Sequence, residues 1–256
     1  MYHDVVDDEA AASGFSGPGA DRYKLPLTMF VAHLDRIAQA VGTPPDVADD
    51  LRAGRHGNPS WSLTFDDGGR GLFEVGEELR RRRWRAHFFI TTAMTGAQGF
   101  LDVTAIKELR GMGHVIGSHS TSHPASMSGL TDAELLTEWE ASVATLSDLL
   151  GEEVDTASVP GGFYTRRVAV AASNAAVRTL FTSEPVRKPR RIADCLVVGR
   201  FSIRRPTTAD EAARAAAGRQ GPWLRQYAGW NVRKPIKTVF RPGYERARRE
   251  ILTRRT

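Results

Sequence analysis

The chain of 256 residues contains a single cysteine, Cys195. One cysteine cannot form an internal disulfide or a thiolate zinc cluster, so any bound metal would be held by imidazole and carboxylate groups. The first residues lack the basic start and apolar core of a signal peptide, and no segment approaches the ~18 to 20 apolar residues of a membrane span. A lone thiol also suits a reducing compartment. We therefore expect a cytoplasmic protein that does not span a membrane.

Positive charge, in contrast, is plentiful, and the formal net charge is +5. It is concentrated in arginine-rich runs at 80–85, 187–191, 204–205 and 246–255. Such runs can bind nucleic acid, phosphate or an anionic surface. No nucleic-acid recognition motif accompanies them, so we predict no nucleic-acid partner and keep phosphate as a possible part of the ligand. Nothing in the sequence determines the oligomeric state.

Helical and extended patterns alternate along the chain, and no linker-like stretch divides it. Helices are predicted at 27–41, 72–83, 102–112, 131–150 and 168–176, and strands at 2–6, 61–65, 86–92, 113–118, 154–159, 178–182 and 196–203. This alternation predicts parallel strands with helices outside, as a barrel or a doubly wound sheet. We expect one α/β domain over 1–256, with a loop at 7–26.

The carboxyl-terminal part at 205–256 is rich in arginine and is predicted to be helical from about Asp210. Proline lacks the backbone N–H group that continues a helix. We therefore expect Pro222, Pro235 and Pro242 to break this part into separate helices.

Two neighbouring carboxylates follow the predicted strand at 61–65. Asp66 and Asp67 precede Gly68 and Gly69, which indicates a tight turn at the end of the strand. Adjacent acids repel each other. Proteins usually accept the energetic cost of this repulsion where the two acids bind a metal or transfer a proton. The alternative interpretation is a solvated Asp-Asp-Gly turn.

Two histidines, His119 and His123, follow the predicted strand at 113–118. The serine and threonine residues between them and Pro124 favour a loop, in which both imidazoles can converge on one ion. Barrels place their chemistry at the carboxyl ends of the strands, where the Asp-Asp pair is also expected. Two histidines and one carboxylate form a metal site with open positions, at which water can be activated.

These motifs resemble those of the NodB-homology polysaccharide deacetylases, carbohydrate esterase family four. The sequence Thr-Phe-Asp-Asp-Gly at 64–68 matches the first motif of that family, and His-Ser-Thr-Ser-His at 119–123 matches the second. The segments at 86–89 and 113–118 resemble the strands beside those motifs. The resemblance implies a distorted (β/α)7-type barrel.

The resemblance also implies roles for individual residues. Asp66 would be the general base, and Asp67, His119 and His123 would bind a divalent metal. Zinc is the expected ion, and the same ligands tolerate iron, cobalt or nickel.

Two departures from the family pattern affect the expected site. The third motif, Arg-x-Pro-aromatic-Gly, here reads Ser-Val-Pro-Gly-Gly at 158–162, so the arginine that would steady the base is absent. Activity would then be lower, or another arginine would take its place. Gly161 and Gly162 still suit a backbone amide that points at an oxyanion. The late histidine of the family is missing, because all seven histidines lie at or before His123.

The amino terminus offers a replacement for that histidine. Tyr2-His3 resembles the amino-terminal motif of the poly-N-acetylglucosamine deacetylases of biofilms, whose barrel is circularly permuted. The resemblance implies a circularly permuted barrel here too, with His3 as the general acid. The alternative is a histidine at a mobile terminus.

Other candidates receive structural interpretations. We expect His87 to be a hydrogen-bonded residue of the core, and His33 and His56 to lie on the surface. Phe163 and Tyr164 follow the glycine turn and could line a substrate groove.

The sequence thus predicts a metal-dependent hydrolase that removes an N-acetyl group from an amino sugar or a sugar-containing small molecule, which can carry phosphate. Hydrolysis of another amide, such as a formyl or cyclic imide bond, is an alternative within the same class. A metal-binding carbohydrate-binding module with impaired catalysis is another. A non-haem iron oxygenase also uses two histidines and a carboxylate, but it needs a pattern of short β-sandwich strands that this chain lacks.

Overall fold

The computed structural model describes residues 1–6, 13–55 and 57–239. Its α-helices are α1 (Pro18–Asp21), α2 (Leu27–Val41), α3 (Ala48–Arg52), α4 (Leu72–Arg81), α5 (Val103–Gly111), α6 (Asp132–Leu150), α7 (Arg166–Asn174), α8 (Ala209–Ala216) and α9 (Gln220–Val239). Its strands are β1 (Asp4–Val6), β2 (Lys24–Pro26), β3 (Thr64–Phe65), β4 (His87–Ile90), β5 (Val115–Ser118), β6 (Thr156–Ser158), β7 (Thr179–Thr182), β8 (Arg190–Ile192) and β9 (Cys195–Gly199). None of these helices is both long and apolar enough to cross a membrane.

Seven strands form one sheet in the order β3-β4-β5-β6-β7-β9-β8. All neighbours pair in parallel except β8 and β9, which form an antiparallel pair. Asp66 follows β3 and Arg200 follows β9, yet Arg200 Nη1 lies 2.7 Å from Asp66 Oδ1. The sheet must therefore curl until its distant strands approach each other. This confirms the prediction of a distorted α/β barrel.

The amino terminus occupies the gap between these distant strands. The Tyr2 amide donates to the Thr64 carbonyl at 2.8 Å, and the Asp66 amide donates to the Tyr2 carbonyl at 3.1 Å. On the other side, the Ile203 amide donates to the Met1 carbonyl at 2.9 Å. The chain then turns away from these neighbours, and β1 pairs with β2 in a separate two-stranded parallel sheet. The first residues of the chain thus contribute to the barrel, as a permuted strand order requires.

Helix boundaries follow the local chemistry of the sequence. α6 begins after Thr131, whose side chain accepts from the Glu134 amide, while the Glu134 carboxylate accepts from the Thr131 amide. This reciprocal pair is a capping box, and it was predicted. The helix ends at Gly151, which adopts φ 69°. Leu135 and Trp139 on its inner face are buried in the core.

Several elements differ from the sequence prediction. The segment at 7–26 is not a loop throughout, because α1 and β2 lie within it, and residues 7–12 are outside the described part of the chain. The short helix α3 and the exposed edge strand β8 were not predicted. α3 has 5 residues and β8 has 3 residues. Both are too short to produce a clear periodic pattern in the sequence.

The prediction that prolines divide the carboxyl-terminal part was also wrong within the described residues. Pro222 lies in the first turn of α9, where a missing backbone N–H group costs no intrahelical bond. Pro235 lies inside the same helix, which continues to Val239. The break falls earlier, between α8 and α9, where Gly218 adopts φ 67°. Pro242 lies outside the described residues.

Two further histidine predictions have different outcomes. His33 is not a surface residue but is buried, because Tyr2 and the carboxyl-terminal part cover it. Its Nε2 donates to the Thr207 carbonyl at 3.1 Å, which leaves Nδ1 to accept from the Tyr2 hydroxyl at 3.2 Å. His87 is a buried core residue as predicted, and its Nδ1 donates to the Leu63 carbonyl. His56 lies outside the described residues.

The amino-terminal residues should therefore be essential for stability. The Tyr2 ring is 2% exposed, stacks on Phe65 at 5.5 Å and meets the edge of Phe30 at 5.3 Å. We expect Tyr2→Ala to lower the free energy of unfolding by about 3–5 kcal/mol, as measured in urea, because it leaves a cavity in the core. Tyr227→Ala is the control, because this ring is 48% exposed and its loss should change stability by less than about 0.5 kcal/mol. Equal effects of the two substitutions would contradict a buried amino-terminal strand.

Candidate metal centre and active site

The carboxyl ends of the parallel strands form the edge on which the predicted site residues lie. Asp66 and Asp67 follow β3, His119 follows β5, and the glycine turn at 160–162 follows β6. A Cβ added to Gly161 would lie 2.8 Å from the Ala125 carbonyl oxygen, so the glycine turn packs against the chain just beyond the second histidine. The barrel therefore gathers the two motifs and the glycines at one edge.

Asp67, His119 and His123 form a compact cluster of metal-binding groups. Asp67 Oδ1 lies 3.3 Å from His119 Nε2 and 3.3 Å from His123 Nε2. The three ligand atoms all lie within 4.8 Å of one another. One carboxylate oxygen and two imidazole nitrogens are donors of the kind found in catalytic zinc sites, where three protein ligands leave a position for water or substrate. The donor set therefore fits one divalent cation.

The His119 ring is held in a defined orientation and tautomer. Its Nδ1 donates to the Ser158 carbonyl at 2.9 Å, and the side chain is only 2% exposed. Because Nδ1 carries the proton of this bond, Nε2 is the nitrogen that faces Asp67: it has a free lone pair in the neutral ring and donates to Asp67 in the protonated ring. A backbone carbonyl that orients a ligating histidine in this way is typical of metal sites.

The loop between the two histidines is held by Glu138 of α6, which the sequence analysis did not identify. Glu138 Oε2 accepts from the backbone amides of Thr121 at 3.0 Å and Ser122 at 2.9 Å. Its other oxygen accepts from the Ser122 hydroxyl at 2.6 Å. These bonds satisfy loop amides that no secondary structure would pair. They fix the segment that carries His123.

Two of the three cluster residues have strained backbones. Asp67 adopts φ 77° and His123 adopts φ 54°, in the left-handed region that favours glycine. Each such residue costs of order 1 kcal/mol or more, and strain of this kind concentrates at functional sites. The fold therefore holds these side chains in place at a cost to its own stability.

Charge interactions within the cluster outweigh the effect of burial. Burial alone would raise the pKa of Asp67, but hydrogen bonds from His119 and His123 hold that pKa well below its usual value. Burial alone would lower the pKa of His119, but the carboxylates of Asp66 and Asp67 raise it above its usual value. The cluster thus attracts positive charge, and a proton and a metal cation would compete for it.

Asp66 does not join this cluster but forms a buried ion pair with Arg200. Arg200 Nη1 donates to Asp66 Oδ1 at 2.7 Å, and Nη2 donates to Oδ2 at 2.8 Å. Both side chains are less than 5% exposed. Burial would raise the pKa of Asp66, but Arg200 and then His119 lower it below its usual value. The carboxylate is therefore ionised, in a fixed orientation.

Arg200 was not identified from the sequence, although a signal existed. It is the one charged residue in the apolar run Leu-Val-Val-Gly-Arg-Phe-Ser-Ile at 196–203. A single arginine in a buried strand requires a buried partner, since an unpaired charge there is very costly. Arg200, which follows β9, contacts the Asp66 carboxylate, the group that the absent arginine of the third motif was expected to hold.

His3 lies beside the two carboxylates. Burial lowers its pKa, while the charges of Asp67 and Asp66 act in the opposite direction. Its ring packs on Tyr23 with the centroids 4.3 Å apart, and its buried Nδ1 has no hydrogen-bond partner among the described residues. His3 is therefore packed against Tyr23, close enough to the carboxylates for their charges to affect its pKa.

The remaining candidates lie beyond the glycine turn. A Cβ at Gly162, which adopts φ 72°, would lie 3.2 Å from the Trp230 ring of α9. Tyr164 packs under the Arg190 guanidinium, 5.0 Å from the ring centroid. The carboxyl-terminal helix and β8 thus border this side of the site.

Comparisons with known proteins agree with this geometry. The model of the polysaccharide deacetylase family matches residues 53–180, which is half of the chain. A Streptococcus pyogenes deacetylase, PplD, solved in complex with acetate, superimposes with a TM-score of 0.64 at 18% identity, over 84% of this chain and 96% of that chain. IcaB from Ammonifex degensii gives a TM-score of 0.62 at 21% identity, over 86% and 100%.

The deacetylase domain of BpsB from Bordetella bronchiseptica gives a TM-score of 0.58 at 18% identity, over 77% of this chain and 94% of that one. At these identities the structural matches show a shared fold. No curated protein sequence matches the chain significantly. The family match covers both the Asp-Asp and the His-x-x-x-His motifs, which the barrel brings together at one edge. The chain belongs to the polysaccharide deacetylase family.

Proposed function

We propose that this protein is a divalent-metal-dependent hydrolase that removes the N-acetyl group of an amino sugar or a sugar-containing small molecule. As a member of its family it is a deacetylase that acts on carbohydrate. The observation that carries the finer proposal is the arrangement of two adjacent carboxylates with different partners. Asp67 contacts two histidines, and Asp66 contacts an arginine.

The cluster of Asp67, His119 and His123 would hold the cation. A divalent ion bound there would act as a Lewis acid and lower the pKa of a bound water. Zinc is the ion proposed, since it is bound by mixed imidazole and carboxylate ligands, and iron, cobalt or nickel would accept the same donors.

Asp66 would serve as the general base. It is ionised and buried, and its charge raises the pKa of His119, so the carboxylate lies close to the proposed metal ligands. It would take a proton from the attacking water as the amide carbonyl is attacked. The bidentate contact with Arg200 keeps the carboxylate from turning away.

His3 would protonate the leaving amine, and the backbone amides of Gly161 and Gly162 would donate to the oxygen of the tetrahedral intermediate. His3 is supported by its ordered position beside both carboxylates, and its lowered pKa makes its protonated form a readier proton donor. The glycines are supported by their location in a turn at the same edge of the sheet, where the absence of a side chain allows close approach.

An amino sugar that carries phosphate would suit the net charge of the chain. Arg190, at 48% side-chain exposure, lies on Tyr164 beyond the glycine turn. A phosphate group is recognised well by arginine, while the sugar ring can pack on an aromatic face. A cytoplasmic setting is compatible with the single, buried thiol of Cys195 and stays part of the proposal.

His119→Ala should abolish metal binding, because the two remaining ligands hold an ion poorly. The test is elemental analysis of purified protein after incubation with Zn²⁺ and removal of the excess, together with acetate release from N-acetylated amino sugars. We expect both metal and activity to be lost. Stoichiometric metal in the His119→Ala protein would show that the ligands are assigned wrongly.

Substitutions of the two carboxylates should have different effects. We expect Asp66→Asn to keep the metal and lower kcat by about 10²-fold or more, because it removes the base. Asp67→Asn should instead weaken metal binding. Asp210→Asn is the control, since this exposed residue pairs with Arg36 on the surface, and both properties should be unchanged. If the Asp66 and Asp67 variants behave alike, the division of roles is incorrect.

Substitution of His3 should lower kcat by about 10²-fold or more and spare the metal, because proton donation is lost while the ligands remain. Comparison of His3→Ala with His3→Phe separates the proton from the packing on Tyr23, since phenylalanine keeps an aromatic ring at this position. We expect both variants to be impaired to a similar degree. Full turnover in His3→Phe would rule out His3 as the acid.

A further inference from the structure

A cavity of about 480 Å³ lies at the corner between α8 and α9. Three arginines, Arg214, Arg219 and Arg225, line it together with Gly221 and Pro222. Its volume is in the range that small-molecule sites occupy. None of the lining residues belongs to the candidate metal cluster or to the glycine turn. The function proposed above therefore leaves this cavity without a role.

The positive charge of the cavity is only partly neutralised. Neither Arg214 nor Arg219 has a carboxylate partner among the residues whose side chains the structure describes, and all three arginines are exposed. Arg225 donates to Glu211 Oε1 at 2.8 Å, while Glu211 Oε2 accepts from the Thr208 amide at 3.2 Å. A guanidinium group has five N–H donors, so Arg225 keeps donors for a further acceptor. The cavity thus offers several cationic groups to a ligand.

The amino-terminal end of α9 adds to this charge. Gly221 and Pro222 lie in its first turn, which contains no acidic residue. The aligned peptide dipoles of a helix of 20 residues place partial positive charge at this end. Backbone N–H groups at the start of a helix have no intrahelical partner and bind anions readily. The arginines and the helix end therefore favour the same kind of ligand, an anion.

Contacts between the two helices hold the corner together. Trp223 Nε1 donates to the Ala215 carbonyl at 3.2 Å, and the Trp223 ring packs on Phe201 with the centroids 5.7 Å apart. Pro222, the neighbour of Trp223, is buried. The cavity is therefore formed by packed elements, and a ligand would order few side chains on binding.

The turn between the helices places a fourth arginine nearby. Gly218 adopts φ 67° there, and the Arg219 amide donates to the Arg214 carbonyl at 2.9 Å. A Cβ added to Gly218 would lie 3.2 Å from Arg187 Nη2, so this guanidinium lies against the turn. The chain segment after β7 thus brings further positive charge to the corner.

α9 connects this corner to the candidate active site. The Ser202 amide donates to Gln226 Oε1 at 2.8 Å, and Gln226 Nε2 donates to the Ser202 carbonyl at 2.9 Å, which ties the helix to the segment after β9. Further along α9, the Trp230 ring lies against Gly162 of the glycine turn. The helical rise from Arg225 to Trp230 is about 8 Å. The cavity is thus near the candidate active site but separate from it.

We propose that the cavity between α8 and α9 binds the phosphate group of a small phosphorylated molecule. Arginine recognises phosphate through pairs of N–H···O bonds, and a dianionic phosphate can accept from several arginines at once. A cavity of this size suits a small ligand, whereas nucleic acid is bound along an extended basic surface. The inference does not rest on the proposed deacetylation. The phosphate group belongs either to a remote part of the substrate or to a second small molecule.

Glucose 6-phosphate is the probe for this site, and glucose is its uncharged counterpart. Binding is followed by NMR through the indole N–H of Trp223, which connects α9 to α8 beside the cavity. We expect its resonance to shift saturably with glucose 6-phosphate and not with glucose. The indole of Trp61, which donates to the Thr43 carbonyl, should not respond. A response of Trp223 to both sugars or to neither would overturn the proposal. A response of Trp230 alone would also overturn it.

A double variant, Arg214→Gln with Arg219→Gln, tests the arginines directly. We expect the dissociation constant of glucose 6-phosphate to rise about 10-fold or more, because charge-assisted hydrogen bonds to the phosphate are lost. Both side chains are exposed, so the variant should fold, and its NMR spectrum shows whether it does. Unchanged affinity in the folded variant would overturn the proposal.

Arg80→Gln with Arg83→Gln is the matched control. These arginines at the end of α4 are exposed, and the Arg83 amide donates to the Arg80 carbonyl at 2.9 Å, as the Arg219 amide does to Arg214. The control loses the same charge and should bind glucose 6-phosphate as the wild-type protein does. An equal loss of affinity in both double variants would show that net charge alone attracts the ligand, which would overturn the proposal.

Acetate release from UDP-N-acetylglucosamine distinguishes the two sources of the phosphate group. Competitive inhibition by glucose 6-phosphate would support the site and identify the substrate as the source. Binding of glucose 6-phosphate without competition would support the site and identify a second small molecule. If the wild-type protein releases no acetate from any N-acetylated amino sugar, the proposed function is wrong. The NMR titrations then still decide whether the cavity binds phosphate.

Discussion

The buried ion pair between Asp66 and Arg200 connects two strands that are far apart in the order of the sheet. β3 begins the sheet and β9 is its sixth strand, so the pair can form only when the sheet curls. Removal of one partner of a buried pair leaves an uncompensated charge, at a cost of about 3–5 kcal/mol. The same contact therefore links the curvature of the barrel to the orientation of the carboxylate.

The amino-terminal residues depend on this curvature as well. Tyr2 fits between β3 and the residues after β9, and its ring fills the core against Phe65. The next residue in the chain, His3, is thereby carried to the edge where the carboxylates lie. A segment that is usually mobile in proteins is here held by backbone hydrogen bonds on both sides. The position of the candidate acid follows from the packing of Met1 and Tyr2, which precede it.

The candidate metal ligands show a second form of preorganisation. Asp67 and His123 adopt strained backbone conformations, and Glu138 holds the loop between the histidines. The Ser158 carbonyl selects the tautomer of His119 that leaves Nε2 for a cation. Strain of this size persists only where the surrounding structure enforces it. Contacts within the protein therefore contribute to the arrangement of these three side chains.

The sequence by itself determined the features that arise from neighbours in the chain. The capping box of α6, the turn after Asp66 and Asp67 and the paired histidines depend on residues a few positions apart, so their spacing predicts them. The resemblance of these motifs to a known family implied the barrel and the division of roles at the site.

Only the tertiary structure decided which distant groups meet. Arg200 is 134 positions from Asp66, and no period in the sequence relates them. Likewise, His33 is buried because two residues that are distant in sequence contact it: Tyr2 near the amino terminus and Thr207 in the carboxyl-terminal part. Such contacts arise when the sheet curls, and curvature comes from the packing of all strands together, which no local pattern encodes.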